Sequence, residues 1–192
     1  LKKNGRAAVI LPDGFLFGTD NAKINIKKKL LSEFNLHTVV RMPGSVFAPY
    51  TSITTNILFF DRTKPTDETW FYRLDMPEGY KHFSKTKPMK LEHFEPVIEW
   101  WNNREEINID GFDKAKKYTA YKTENGDIEL RDSNGLVITN YNFDLCGYPH
   151  IEEEILAPMD LIQRYQEERA SLNAEIDRVL AEIIAILGGG RE

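Results

Sequence analysis

Apolar and polar positions follow two rhythms along this chain. Ala7-Ala8-Val9-Ile10-Leu11-Pro12 is a short apolar run closed by Pro12-Asp13-Gly14, which predicts a strand and then a turn. Residues 22–34 set Ile24, Ile26, Leu30, Leu31 and Phe34 among lysines, the pattern of an amphipathic helix with a basic outer face. Thr38-Val39-Val40-Arg41-Met42-Pro43 is β-branched and stops at Pro-Gly, so it predicts a second strand. Residues 45–50 are rich in turn formers, and a third strand is expected over residues 54–60. A helix between the first two strands predicts a parallel pair. Only a loop precedes the third, which favours antiparallel pairing with the second. Near-continuous apolar runs suit strands covered on both faces, and two or three strands cannot hide such faces alone. The region therefore reads as the edge of a larger sheet whose other strands lie upstream of Leu1.

Residues 69–75 predict a further strand, and residues 91–106 a helix with Phe94, Val97, Ile98 and Trp101 on one side and Pro96 in its first turn. Asn125-Gly126 and Asn134-Gly135 flank short alternating segments within 118–139, the signature of a small β-meander. In the tail, Ile162, Tyr165, Arg169, Leu172, Ile176, Val179, Ile183 and Ile186 recur at alternating spacings of three and four. That is a heptad seam with one polar member, Arg169, of the kind that fixes register or partner choice. Pro158 suits the first turn of this helix and Gly188-Gly189-Gly190 its end. Three regions are expected: a sheet-forming 1–75, a connecting α+β 76–150 and a helical tail 151–192.

Composition narrows the class. With 41% hydrophobic and 29% charged residues, the chain has the make-up of an ordinary globular protein. No apolar run reaches the roughly 20 residues that span a bilayer, and no leader pattern opens the chain, so no membrane partner and a cytoplasmic location are expected. A start at Leu1 rather than Met suggests a fragment. The single Cys146 excludes an internal disulfide and a cysteine zinc cluster, and reads as a small buried side chain. Net charge is −5, against the basic balance usual for a dedicated nucleic-acid binder. Two lysine clusters stand out locally, Lys81, Lys85, Lys87 and Lys90, then Lys114, Lys116, Lys117 and Lys122; solvated loops explain both on composition alone.

Self-contained catalytic constellations are missing from the sequence. His37, His82, His93 and His150 lack metal-ligand spacing, so no metal is expected. Glu152-Glu153-Glu154 fits a helix start, and Gly14 and Gly18 lie four apart in a turn without a phosphate-loop pattern.

One ordered set of blocks is more specific. It comprises residues 5–18 with their Leu11-Pro12-Asp13-Gly14 turn, the helix, Val39-Val40-Arg41-Met42-Pro43, and a run from Phe47 through Tyr50 and Ile53 to Thr55-Asn56-Ile57-Leu58-Phe59-Phe60. Together these resemble the later blocks of the amino-group DNA methyltransferases, most closely the type I modification subunits. The resemblance weakens in the middle and returns at Asn140-Tyr141-Asn142-Phe143-Asp144-Leu145.

That resemblance implies an α/β fold: the C-terminal part of a Rossmann-like, S-adenosylmethionine-dependent methyltransferase sheet, followed by the meander and a coiled-coil-type helix. It implies that the complete subunit methylates adenine N6 in DNA as part of a type I restriction-modification system. The family's glycine-rich donor loop and its Asn/Asp-Pro-Pro-aromatic block precede the Leu-Pro-Asp-Gly turn, and no Pro-Pro pair occurs here. No catalytic residue is therefore assigned to this chain, which alone is expected to be inactive and to bind S-adenosylmethionine poorly. By resemblance, Phe47 stacks on the extruded target base, with Tyr50 as second choice. Arg41 and Thr51 are placed near the DNA backbone. The seam from Ile162 to Ile186 is matched to docking on a separate specificity subunit, within a complex that also holds a restriction subunit. Two other readings remain: a non-catalytic interaction module built on the coiled-coil helix, and a nucleic-acid-binding domain using the lysine clusters with Trp70, Phe71 and Tyr72.

Overall fold

The three apolar runs near the N-terminus are strands in the computed structural model, which describes residues 1–149 and 158–188. They are β1 (Arg6–Pro12), β2 (Asn35–Arg41) and β3 (Thr55–Asp61). Between β1 and β2 come a short turn, α1 (Asp13–Leu16), and the crossover helix α2 (Asn21–Glu33). Asp20 caps α2, its carboxylate accepting from the Lys23 amide at 3.0 Å.

The expected antiparallel pairing of β2 with β3 is present, but the expected β1–β2 pair is not. β3 lies between the two and pairs antiparallel with both. β1 and β2 thus point the same way without touching. The reason lies in β3 itself, which is apolar on both faces through Ile57, Leu58 and Phe59 and buries more of them between two strands than at an edge.

The sheet continues through β4 (Glu68–Arg73), parallel to β2, and β6 (Phe112–Lys122), antiparallel to β4. β5 (Ile107–Ile109) and β7 (Ile128–Arg131) both pair with the other edge of β6. The meander is thus an extension of one mixed seven-stranded sheet. Asn125-Gly126 makes the β6–β7 turn as its sequence predicts, with Gly126 at φ 84°. The helix expected over 91–106 is shorter: a 3-10 turn at Leu91–Phe94 leads into α3 (Glu95–Asn102), with Pro96 at its start. Beyond it, β5 and the Asp110-Gly111 turn, both residues at positive φ, form a hairpin with β6.

Side chains alternate across the sheet, with a bulge in β2 between Leu36 and Thr38 that brings Leu36 and Val39 into the same core cluster. Val9, Leu58, Val39 and Phe71 are aligned by register on one face, where Leu30 and Leu31 of α2 join the core. Ile10, Ile57, Val40 and Tyr72 align on the other, where Val97 and Trp100 of α3 pack. Trp70, Phe71 and Tyr72 belong to this interior, Phe71 and Tyr72 being almost fully buried and Trp70 packed edge-on to Trp100. This overturns their reading as a nucleic-acid stacking surface, because β4 is a central strand covered on both faces.

Two expectations about exposure also change. The basic face of α2 is not wholly outward: Lys27 is fully buried while Ile26 is exposed. The buried face of α2 is made by Lys27, Leu30 and Leu31, and the apolar stem of Lys27 fills its part while its head finds backbone oxygens. At the free edge, Val9 and Ile10 of β1 are 38% and 53% exposed despite their apolar pattern. Cys146, by contrast, is buried as expected, its thiol pushed up to about 12 by burial.

The chain divides into two compact units, Leu1–Pro149 and His150–Glu192. In the second, α4 (Pro158–Gly188) is one 31-residue helix over the described residues. Ile162, Tyr165, Leu172, Ile176, Val179 and Ile183 are all exposed along it, as is Arg169. The side chain of Ile186 lies outside the described residues, as do His150 and Glu152-Glu153-Glu154.

Candidate functional site

In open α/β sheets, ligands meet the crevice outside the carboxyl ends of the strands. Here β1, β2 and β4 run together, and their carboxyl ends deliver Asp13, Arg41 and Arg73 to one side of the sheet. β3 runs the opposite way, so its first residues, Thr55 and Asn56, arrive at that same side.

These residues form a connected polar cluster. Asp13 Oδ2 accepts from Arg41 Nη2 at 2.7 Å, and Asp13 Oδ1 accepts from Asn56 Nδ2 at 2.5 Å. Arg41 Nη1 donates in turn to Asp144. The side chain of Arg41 is only 12% exposed, so its guanidinium is largely shielded from water, with Asp144 the more exposed of its two carboxylate partners. Arg41 Nε, Asn56 Oδ1 and Thr55 Oγ1 are buried there with no hydrogen-bond partner among the described residues.

The segment around Asp144 closes over the same strand ends. Phe143 inserts into the core below α2, and its amide donates to Leu16 O at 3.1 Å. Arg73 Nη1 donates to Gly147 O at 2.6 Å, and the Tyr148 hydroxyl donates to Leu74 O at 2.8 Å. Each block singled out in the sequence thus contributes one member: Asp13 from Leu-Pro-Asp-Gly, Arg41 from Val-Val-Arg-Met-Pro, Asn56 from Thr-Asn-Ile-Leu-Phe-Phe, and Asp144 from Asn-Tyr-Asn-Phe-Asp. Asp13, Asn56 and Asp144 carried no individual role in the sequence reading. Their one signal was membership of those blocks.

The loop over residues 42–54 leaves this cluster and returns to it. Met42 N donates to Thr55 O at 2.9 Å and Asp13 N to Thr54 O at 3.1 Å, so both ends of the loop are fixed. Phe47 and Tyr50 lie within it. Phe47 is 39% exposed and lines a cavity of about 380 Å³ with Ile10, Met42, Met89, Lys90 and Phe94, while Tyr50 is 93% exposed. The Tyr50 and Thr51 amides both donate to Phe47 O, at 2.9 and 3.3 Å, closing a tight turn at the loop tip around the cis Ala48-Pro49 peptide. Thr51 is half-buried, its hydroxyl accepting from Ile53 N at 3.1 Å. Arg41 lies below this loop, engaged by its two carboxylates.

Other chemistry is sparse. Among the described residues no group of three His, Cys, Asp or Glu converges to hold a metal. Both Asp13 oxygens, both Arg41 Nη atoms and Asn56 Nδ2 are spent within the cluster, and the three unpartnered atoms beside them are too few to cradle an adenosine or a sulfonium. The residues of this chain therefore do not by themselves fit S-adenosylmethionine. No helix among the described residues is long and apolar enough to cross a membrane.

The class defined by these features is a mixed α/β sheet with a crossover helix, an antiparallel strand wedged between two co-directional ones, and a polar centre at their carboxyl ends. The sequence model of the N-6 DNA Methylase family matches residues 1–143, and the chain belongs to that family. It is 43% identical to the methylase subunit of the type I restriction enzyme EcoEI from Escherichia coli, over 100% of this chain and 36% of that protein. The chain thus spans about a third of that relative's length. Among solved structures it is similar to a modification subunit assigned provisionally to a type I restriction enzyme of Vibrio vulnificus YJ016. That likeness has a TM-score of 0.55 at 46% identity and covers 69% of this chain and 27% of the other. A chain from a structure of type I restriction-modification complex assembly matches at TM-score 0.56 and 27% identity, over 100% of this chain and 37% of the other.

Proposed function

We propose that this chain is the assembly end of a type I modification subunit that methylates adenine N6 in DNA with S-adenosylmethionine. The observation that carries the reading is the cluster of Asp13, Arg41, Asn56 and Asp144, in which the blocks that resemble this family meet at the carboxyl ends of one sheet. The free, apolar edge of β1 supports it, because Val9 and Ile10 ask for a further strand and a further layer. Donor binding and the proton-bearing contacts to the target amine belong, on this reading, to the remainder of the subunit.

The role of this chain is then positional. The cluster anchors the loop over 42–54, and that loop presents Phe47, with Tyr50 beside it, as the aromatic wall against which the extruded adenine stacks. Thr51 faces the DNA backbone at the loop tip. Arg41 serves the backbone contact through the loop it supports, since both of its Nη atoms are committed to carboxylates. The three-region division at 75 and 150 follows the same logic, with catalytic sheet, connecting region and assembly helix. α4 docks on the helical part of a specificity subunit, in a complex that includes a restriction subunit. The full length over which the chain matches the assembled type I system supports this part.

The test is Phe47→Ala in the complete subunit. Methylation is expected to fall by one to two orders of magnitude, with binding of a duplex lacking the target base unchanged, since stacking contributes about 1–3 kcal/mol per base. Methylation at the wild-type rate would remove the stacking role.

A further inference from the structure

The two lysine clusters are equivalent in sequence and differ in the fold. Lys114 is paired with Asp75 at 2.7 Å, Lys116 with Asp113 and Asp132 at 2.8 and 3.3 Å, and Lys117 with Glu68 at 3.2 Å. Those three are neutralised by their own sheet, which leaves Lys122, exposed at the end of β6, as the one member of that cluster with no ion pair among the described residues. Lys81, Lys85 and Lys87 are exposed and have no carboxylate within ion-pair distance among the described residues. Lys90 alone in that group is paired, with Glu92 at 3.3 Å. In a chain of net charge −5, three free ammonium groups within seven residues are a local reversal of sign.

Their segment is held in a defined place. Phe83 is 1% exposed and anchors it, with Tyr80 and His93 packed around its ring. Ser84 N donates to Lys87 O at 3.0 Å and Lys87 N to Ser84 Oγ at 3.1 Å, closing a turn that carries Lys85 and Lys87. Lys87 Nζ sits 4.6 Å from the centre of the Tyr80 ring, which orients the cation and leaves its charge uncompensated. The Phe83 amide donates to Ser45 Oγ at 2.8 Å, two residues before Phe47. Met89 and Lys90, at the end of the segment, line the same cavity as Phe47.

We propose that Lys81, Lys85 and Lys87 form a backbone-phosphate site that grips the target DNA strand beside the base presented to Phe47. The inference rests on the methyltransferase reading and deepens it. Extruding a base leaves its flanking phosphates exposed, and holding them requires cations that are free, fixed and adjacent to the stacking residue. Only the first lysine cluster meets all three conditions. Phosphate contacts position a strand without reading it, which fits a subunit whose sequence recognition resides elsewhere.

The experiment uses the complete subunit assembled with its specificity subunit, with DNA affinity measured against salt concentration and methylation assayed in parallel. The triple variant Lys81→Gln, Lys85→Gln, Lys87→Gln should lower the slope of log affinity against log salt by about 2–3, because each phosphate contact contributes about 0.9. Target and non-target duplexes should lose affinity by the same factor. Each single variant should lower the slope by about 0.9, and Lys114→Gln with Lys117→Gln should leave it unchanged. An unchanged slope in the triple variant, with wild-type binding and methylation intact, overturns the phosphate site and leaves the enzyme reading standing. Equal loss of slope from the Lys114 and Lys117 pair overturns the distinction between the clusters. A wild-type complex that neither binds nor methylates DNA overturns the reading on which both rest.

Discussion

Arg41, the last residue of β2, and Asp13, the residue that follows β1, meet at 2.7 Å although β1 and β2 are not neighbours. The pair spans the width of β3, and Asn56 of that strand donates to the same Asp13 carboxylate. Three strands are therefore tied at their ends by one carboxylate, and Asp144 ties the closing segment to the other side of the guanidinium.

Removing the hub should be felt throughout. Asp13→Ala leaves Arg41 with one carboxylate and Asn56 Nδ2 with none, and is expected to cost about 3 kcal/mol. Arg41→Lys keeps the charge but cannot reach both carboxylates as a planar fork, and should cost about half as much. Denaturant unfolding of the chain measures both; a loss under about 0.5 kcal/mol for Asp13→Ala, the size of an ordinary surface substitution, would show that the cluster is not a structural hub.

Lys27 predicts a pH dependence. Its ammonium donates to the carbonyls of Leu16, Gly18 and Tyr141 at 2.5, 2.9 and 2.9 Å, joining α2 to the turn before it and to the segment that closes the strand ends. Burial, and then the neighbouring charge of Lys23, push its pKa down to about 8 from an ordinary value of 10.5. A base depressed on folding penalises the folded state while both states hold the proton, so the penalty is full below pH 8. It is relieved as pH rises toward 10.5, because the unfolded chain then binds more protons than the folded one. Stability should rise by about 1–2 kcal/mol between pH 8 and 10, trimmed by the three carbonyls that favour the ammonium. Above pH 10 the gain reverses, since burial raises Tyr72 and Tyr118 to about 12 and the unfolded tyrosines ionise first. Lys27→Met should abolish the rise between pH 8 and 10; an unchanged rise would assign it to another group.

α4 predicts an assembly phenotype. Deleting residues 158–192 is expected to abolish co-purification with the specificity subunit. Leu172→Asp with Ile176→Asp should do the same at unchanged chain length, because both lie exposed on the seam. Retained assembly after the deletion would count decisively against docking through this helix.

Element identity was legible locally wherever one periodicity dominated. The strands β1 to β4, the Asn125-Gly126 turn and the helical tail within 158–188 follow from apolar runs, turn residues and periodicity alone. The same local signals misplace what depends on neighbours. Nothing near Thr55–Asp61 says that β3 will divide β1 from β2, since that choice is settled by how much apolar surface each arrangement covers. The α2 pattern likewise points Lys27 outward, because a helix wheel weighs a lysine as polar and cannot see three carbonyl oxygens arriving from residues 16, 18 and 141.

The polar cluster shows the division most plainly. Its members are spread from residue 13 to residue 144, each in a different block of the chain. The motifs marked which blocks mattered, because each carries a pattern that an isolated strand or turn does not need. Which atoms meet, and which lysines remain free to hold an anion, were decided by tertiary structure. Ion pairing is a matter of a few ångströms in space, and separation along the chain does not encode it.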